Sequence, residues 1–444
     1  MISNSARRAL AASLTLALAA GCAAAPETST RRPRRLLPKE FDPTSAFVLP
    51  KAPTSAEAFV RSLRLAMGPE FQITRSRGFD RLPWVFIAWS DASGKFEAVS
   101  ERLEAEPSVA RVMPNSLFRE QGVSAKSAKT LPWNLGDAAL GGLDVAPAWR
   151  VLGDRPARPV VAVMDGEFDL AHPAFEGLLY RDCRDGHASG HDFVAGDADA
   201  GGGTWAHPTA VAGIIGPAVA RGYARLLPLR ISEYRNRSVE AYASLEHILA
   251  AFDYFLELKT ECEGIDGALP RIVHLGFAVE SPEAPEPLGE MFELARREGV
   301  LIVAPAGNHA VGLDDLSIPV WPAAYPHANL LVVTGVRRGG RPDRFANTSR
   351  AAVDAGAPSS GFTTLAPGGE TRGLAGTSYA SAHAAGAAAL ILACDDALDP
   401  VAVKTALAKT VAKSPPLVSL WGGRIDVGRA ITELAAAGWC GAAP

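Results

Sequence analysis

Three short stretches of this chain carry residues whose types and order suit nucleophilic catalysis. Near the C-terminus it reads Gly376-Thr377-Ser378-Tyr379-Ala380-Ser381-Ala382-His383-Ala384-Ala385-Gly386. Ser378 opens a helix built mostly of Ala and Gly, side chains small enough to let the helix lie deep in a core. Free backbone N–H groups at a helix start concentrate positive potential, which suits a nucleophile whose reaction develops an oxyanion. Upstream, Pro159-Val160-Val161-Ala162-Val163-Met164-Asp165 is a short apolar strand ending in a carboxylate. Chemistry in open α/β sheets gathers at the carboxyl ends of strands. Between the two lies Trp205-Ala206-His207-Pro208-Thr209-Ala210-Val211-Ala212-Gly213. Here a His precedes a Pro well placed to open a helix. Gly-Thr-Ser alone is equally a plain helix cap. The order Asp165, His207, Ser378, however, is one of the three in which the acid–base–nucleophile triad of serine hydrolases occurs.

With these residues in view, the sequence resembles the subtilisin-like serine proteases. Asp165-Gly166-Glu167 resembles the family's Asp-Thr-Gly strand end. His207-Pro208-Thr209-Ala210-Val211-Ala212-Gly213 resembles its His-Gly-Thr-His-Val-Ala-Gly helix. Gly376 to His383 resembles its Gly-Thr-Ser-Met-Ala-Ser-Pro-His block, and Ala304-Pro305-Ala306-Gly307-Asn308 its oxyanion-hole segment. The four blocks stand in the family's order across residues 131–440. The resemblance implies a peptide-bond hydrolase in which His207 takes the Ser378 proton, Asp165 orients the imidazole, and Asn308 donates to the oxyanion. It also implies that an extended peptide or protein substrate lies between Leu275-Gly276-Phe277 and Ala304-Pro305-Ala306, with Gly276 allowing close backbone approach. His274 stands where the family usually has Ser. Gly166, Glu167, Pro208, Ala210, Tyr379 and Ala382 depart from the family's usual neighbours, and these departures define the second reading, a catalytically silent scaffold that binds peptides or proteins.

The elements that must position these residues follow from periodicity. From residue 133 to 440 strands and helices alternate: Val160–Met164, Ala224–Arg230, Arg271–Leu275, Val300–Ala304 and Leu330–Gly335 as strands, Val239–Leu258 and Leu288–Arg297 as helices. The pattern predicts an α/β domain with a mostly parallel sheet and helices on both faces. Residues 46–118 read strand (Ala46–Leu49), helix (Ala56–Met67), strand (Phe71–Thr74), strand (Trp84–Trp89), helix (Phe96–Leu103), strand (Val109–Met113). That βαββαβ order is the ferredoxin-like α+β pattern. Its place in the chain resembles that of the inhibitory propeptide of the family, which implies a self-inhibited precursor and a processing junction at 119–132.

The remaining features bear on location and ligands. The net charge is −4 with acidic and basic residues intermixed, which gives no electrostatic reason to expect nucleic acid. Arg7-Arg8 precede an apolar run, Ala9 to Ala20, too short to span a bilayer, so residues 1–22 read as an export signal. The run ends Leu18-Ala19-Ala20-Gly21-Cys22, resembling a bacterial lipoprotein box with Cys22 acylated; ordinary cleavage near Ala25 is the alternative. Residues 23–45 read as a Pro- and Arg-rich tether. An exported protein, membrane-anchored in a bacterial envelope or secreted, is the expectation. Five cysteines less Cys22 leave Cys183, Cys262, Cys394 and Cys440, which allow three connectivities. The reading favours Cys394–Cys440, which ties the end of the serine helix to the C-terminus; buried free thiols are the alternative. His187 and His191, with Asp185 and Asp192, have spacing that suggests a metal, but Gly186 and Gly190 argue against a helix that would align the histidines. No catalytic cofactor or metal is expected. A structural calcium at Asp192, Asp197 and Asp199 is left open beside a solvated loop. His383 reads as structural.

If Cys22 is acylated, Cys22→Ser releases the uncleaved Ser378→Ala chain from the membrane fraction, because several acyl chains hold firmly where one does not. Unchanged fractionation with no label from a fatty-acid analogue rules the anchor out.

Overall fold

Residues 46–49 and 85–89 are apolar at both parities, so the sheet they form has to be covered on both faces. In the computed structural model, which describes residues 37–120, 123–124, 133–136, 140–234 and 241–440, it is. Cys22, the export signal, the tether as far as residue 36 and most of the processing junction lie outside the described residues. β1 (Phe41–Pro50), α1 (Ala56–Met67), β2 (Ile73–Gly78), β3 (Val85–Trp89), α2 (Phe96–Ala105) and β4 (Val109–Glu120) form an antiparallel sheet in the order β4-β1-β3-β2, with two helices. Ser55 caps α1 by accepting from the Ala58 N–H, and Phe59, Val60, Leu63 and Met67 make its buried stripe. Ala46, Val48, Val85, Ile87 and Val112 pack with that stripe and with Phe96, Val99 and Leu103 of α2. The opposite parity, Phe47, Phe86 and Met113, packs instead into the following domain.

β5 (Val123–Ser124) follows, and then the larger domain. Its first half contains α3 (Val145–Leu152), β6 (Pro159–Asp165), β7 (His191–Asp192), α4 (Ala206–Gly213), β8 (Arg225–Arg230), β9 (Ser232–Tyr234), β10 (Ala241–Ser244) and α5 (Leu245–Cys262). β11 (Leu269–Leu275), β12 (Phe277–Glu280), α6 (Glu286–Arg297), β13 (Leu301–Pro305), β14 (Val320–Trp321), β15 (Leu330–Arg337), β16 (Arg341–Pro342) and β17 (Ala355–Pro358) come next. The chain closes with β18 (Thr363–Ala366), β19 (Glu370–Ala375), α7 (Thr377–Cys394), α8 (Pro400–Thr410), β20 (Ala412–Lys413), β21 (Gly423–Arg424) and α9 (Val427–Ala436). The main sheet runs β20-β21-β17-β15-β13-β11-β6-β8-β7, and its central neighbours pair in parallel.

Alternate residues of β6 serve opposite layers. Val161 and Val163 join the core beneath α4, α7 and α9, while Val160, Ala162 and Met164 join the core beneath α5 and α6. α7 is long and apolar enough to cross a membrane, yet nearly all of it is buried inside the fold, where its small side chains let neighbours approach. Two disulfides brace the domain, Cys183–Cys262 and the expected Cys394–Cys440.

Several boundaries differ from the sequence expectation, and three of them bear on the site. β1 starts at Phe41, inside the stretch expected to be tether. β4 runs seven residues past Met113, to Glu120, because its far half finds new partners: Leu117–Arg119 pair with β10, and Arg119–Glu120 with β12. The helix expected over 239–258 divides at Ser244, whose side chain caps α5 by accepting from the His247 N–H, leaving Ala241–Ser244 as a strand.

The contact between the two domains is rich in charge. Arg75 reaches buried Glu246 at 2.6 Å, Arg111 pairs with Glu286, Lys39 with Glu280 at 3.3 Å, and Trp84 Nε1 donates to Glu290 at 2.9 Å. One corner is mismatched: Asp80 of the N-terminal domain meets Asp253 and Glu257 of α5, with carboxylate oxygens within 4.8 Å of one another. Burial, then the neighbouring carboxylates, push Asp253 and Glu257 up; burial also raises Glu246. A carboxyl raised by docking binds its proton more tightly in the docked state, so docking weakens as pH rises through the raised values. Amides of Leu117–Arg119 in the Ser378→Ala chain should therefore exchange hydrogen faster at neutral than at mildly acidic pH, after correction for intrinsic rates. Asp80→Asn should flatten that dependence, and an equal dependence in both chains counts against it.

Candidate active site

His207 meets both of its expected partners. Its Nε2 lies 2.9 Å from Ser378 Oγ, and its Nδ1 lies 3.1 Å from the Asp165 carboxylate. A carboxylate only accepts, so Nδ1 carries the proton toward Asp165, and Nε2 is left to accept from the serine hydroxyl. Asp165 is fully buried at the end of β6, where Oδ1 also accepts from the Gly166 N–H at 2.8 Å and its carbonyl accepts from Ile231. His207 stands in the first turn of α4, and Ser378 is the second residue of α7. Three separate elements thus bring their ends to one point at the carboxyl edge of the sheet.

The departures from the family's motif are matched to each other. A Cβ on Gly166 would stand 3.3 Å from the Pro208 ring and 3.3 Å from Ser232 Oγ, so the glycine makes room for the proline. Glu167 pairs with Arg230 at 2.8 Å, and Arg230 pairs in turn with Asp192 at 2.5 Å. Tyr379, buried, sets its ring 5.4 Å from the His207 ring. Gly276 is required by closeness: a Cβ there would lie 3.2 Å from Asp165 Oδ2 and 3.4 Å from His207 Cε1.

Asn308 follows the end of β13, with Oδ1 accepting from both the N–H and the hydroxyl of Thr377, each at 2.9 Å. The Thr377 N–H can only donate, so the amide oxygen is the end it holds, and the remaining end is NH₂, a pure donor. Thr377 Oγ1 also accepts from the Gly307 N–H at 3.1 Å. The residue before Ser378 therefore clamps the loop that carries Asn308.

The two expected substrate walls fare differently. β12, which begins at Phe277 just after Leu275 and Gly276, receives an antiparallel strand, but that strand is β4 of the same chain: Phe277 pairs with Glu120 and Ala278 with Arg119. On its other side β4 pairs with β10, Ala243 opposite Phe118 and Tyr242 opposite Arg119. Ala304, Pro305 and Ala306 are not the second wall of this slot. Ala304 and Pro305 belong to the interior strand β13, and Ala306 donates its N–H to Val333. The strand that sequence reasoning missed is β10, hidden in an overlong helix; Ser244, a residue type that caps helices, was the available signal. A few residues on, Val123 and Ser124 pair with Ala375 and Leu374 of β19, just ahead of Ser378. The chain thus leaves β12 at Glu120, beside Gly276, and joins β19 at Val123.

The other sequence candidates fall elsewhere. His187 is exposed, while His191 stacks on Tyr254 and packs against the tilted ring of Phe193. Asp192 faces Arg230 and two turn amides, Val194 and Ala195, while Asp197 and Asp199 accept from the amides of Asp199 and Gly201. With a guanidinium already on Asp192, this loop does not fit the calcium left open above. His383 donates from Nδ1 to the Tyr379 carbonyl at 2.7 Å, with Asn134 2.9 Å from its Nε2.

Comparison with known proteins agrees with this geometry. The subtilase family model matches residues 157–423. The chain is 28% identical over 253 residues to the major intracellular serine protease of Bacillus subtilis (strain 168), covering 55% of this chain and 72% of that protein. It is 27% identical over 308 residues to the thermophilic serine proteinase of Bacillus sp. (strain AK1), covering 67% of each. Among solved structures it resembles fervidolysin from Fervidobacterium pennivorans, a keratinolytic enzyme related to subtilisin, with a TM-score of 0.68 and 17% identity. That match covers 90% of this chain and 62% of the other, and at this identity it speaks for the fold.

Asn308→Ala removes the NH₂ donor. Loss of such a donor in a subtilisin costs about 10²- to 10³-fold in kcat, which sets the expected scale here, with KM nearly unchanged. Thr377→Val removes the two hydroxyl bonds of the clamp, keeps the Thr377 N–H bond and the donor, and should cost less. A larger loss from Thr377→Val than from Asn308→Ala, in steady-state kinetics of the mature enzyme, shows that Asn308 only shapes the loop.

Proposed function

The chain belongs to the subtilase family of serine proteases, and we propose that it is an exported endopeptidase, made as a precursor that its own N-terminal domain inhibits. The observation that carries the catalytic part is the single imidazole held between Asp165 and Ser378 at hydrogen-bond distance on both sides.

In this reading Ser378 Oγ attacks the peptide carbonyl while its proton passes to His207 Nε2. Asp165 stabilises the resulting imidazolium, and the oxyanion takes hydrogen bonds from the Asn308 amide and the Ser378 N–H. His207 then returns the proton to the leaving amine, and the C–N bond breaks to give an acyl-enzyme. Water, deprotonated by the same imidazole, hydrolyses the ester and restores the serine. A substrate lies extended between β10 and β12, where main-chain pairing accepts many sequences. Leu275, Gly276 and Phe277 line that slot.

The inhibitory part rests on the strand already there. Residues 117–120 use the β10 and β12 edges that a substrate needs, and Val123–Ser124 use β19. Pairing of residues 117–120 with β10 and β12, and of Val123–Ser124 with β19 just ahead of Ser378, supports self-cleavage between Glu120 and Val123. Export rests on the N-terminal sequence and accords with the two disulfides, since such bonds persist in oxidising compartments.

A fluorophosphonate probe separates this reading from a silent scaffold: the mature protein labels at Ser378, and labelling is lost in Ser378→Ala and His207→Ala. No labelling of the wild-type chain overturns the proposal. Processing is read by expressing Ser378→Ala in a host lacking other exported proteases, where it should accumulate at full length less the signal. The wild-type mature N-terminus should be Gln121, Gly122 or Val123 by intact mass. Normal maturation of Ser378→Ala, or a first cut outside that window, overturns self-processing.

A further inference from the structure

His274 takes no part in the mechanism above, yet it is wholly buried in β11, two residues before Gly276. Its Nε2 lies 2.8 Å from Ser381 Oγ, and Ser381 Oγ lies 2.9 Å from the Ser378 carbonyl oxygen. Hydrogen-bond chemistry assigns the protons in this chain of bonds. A carbonyl only accepts, so the single hydroxyl proton of Ser381 goes to Ser378, and Ser381 must then accept from His274. The imidazole is therefore the Nε2–H tautomer.

We propose that His274 is a positioning residue for Ser378, acting through Ser381. This rests on Ser378 being the nucleophile. Ser381 stands one turn beyond Ser378 in α7, and a serine at that spacing bonds the carbonyl behind it without assistance. What His274 adds is a tie to another layer. It fixes the first turn of α7 to β11, the strand whose end supplies Gly276 beside Asp165 and His207. Rotation of the Ser378 peptide would swing Oγ from His207 and the N–H from the oxyanion together, and the tie opposes that rotation. The imidazole can serve because it carries no charge. Burial, the dominant cause, holds its pKa down to about 4, with Asp165 raising it and His207 lowering it. A neutral neighbour leaves unopposed the positive charge that His207 acquires during attack. A lysine or arginine here would repel it.

The experiment is a double-mutant cycle on the mature enzyme with His274→Leu and Ser381→Ala, read by steady-state kinetics and by the rate of fluorophosphonate labelling. Each single change should lower kcat by roughly 10- to 100-fold, the scale of a misplaced reacting group, with KM little changed. The labelling rate should fall in parallel. The two losses should be strongly non-additive, because they cut one chain of bonds. His274→Gln, which restores an uncharged N–H donor, should recover most of the rate, and it and Ser381→Ala decide the matter if His274→Leu does not fold. Additive losses, a rise in KM alone, or no recovery with Gln would overturn the proposal and leave His274 as core filling. A wild-type enzyme that does not label defeats the assignment of Ser378 itself, a different failure from an active enzyme indifferent to His274.

Discussion

One imidazole has to touch two side chains that are remote in sequence, and much of the architecture can be read as the means to that contact. His207 is 42 residues from Asp165 and 171 from Ser378. Local structure cannot close such gaps. A parallel sheet can, because it points many strand ends in one direction and lets each following segment start from the same edge. β6 delivers the carboxylate, and α4 and α7 deliver His207 and Ser378 at their first turns. Apolar alternation on β6 glues a helical layer to each face, so the sheet edge is held from both sides. The small residues of α7 let it pack deep enough for Ser378 to reach the imidazole.

The N-terminal domain is governed by a different constraint, an apolar sheet with two hungry faces. Its own helices cover Ala46, Val48, Val85 and Ile87, and Phe47, Phe86 and Met113 are left for α5 and α6. Released from the larger domain it would expose that aromatic face, so docking gains from the same hydrophobic burial that folds either part. The geometry then explains why β4 is long. With the sheet seated on α5 and α6, the strand leaving it is aimed along the slot between β10 and β12, and extension costs little where each new residue gains main-chain pairs.

Much of this was legible in the sequence because it is local. The α1 helix, with its Ser55 cap and apolar stripe, runs over the residues its periodicity predicts, and the five expected strands of the main sheet appear with shifted ends, while β7, β17 and β21 were not expected. What escaped was non-local. β10 is a strand only because β4 comes to lie beside it; alone, Ala241–Ser244 joins smoothly to the helical pattern after it. Ala304–Ala306 looked like an edge from their motif, but β15, far along the chain, takes their hydrogen bonds. The motif departures were also opaque one by one. Gly166 makes sense only beside Pro208, and Glu167 only beside Arg230, pairings that no reading along the chain can see.

Those pairings share a rule about charge. The residues that brace the serine and its helix turn, Thr377, Asn308, Ser381 and His274, are hydrogen-bonding groups without charge, the last kept so by burial. The formal cation nearby, Arg230, is placed outside the bonds of the triad and faces two carboxylates. In the proposed mechanism, peptide attack creates a positive imidazolium and a negative oxyanion within a few ångströms, in surroundings of low effective dielectric where a fixed charge acts strongly. A permanent cation beside His207 would oppose the proton transfer. A permanent anion beside Asn308 would oppose the oxyanion. Dipoles that are already oriented avoid both penalties, since they stabilise charge as it appears and need no reorganisation when it does. The substitutions that distinguish this chain from the family's motif keep to that rule around the nucleophile and depart from it only at Glu167, where Arg230 supplies the compensation.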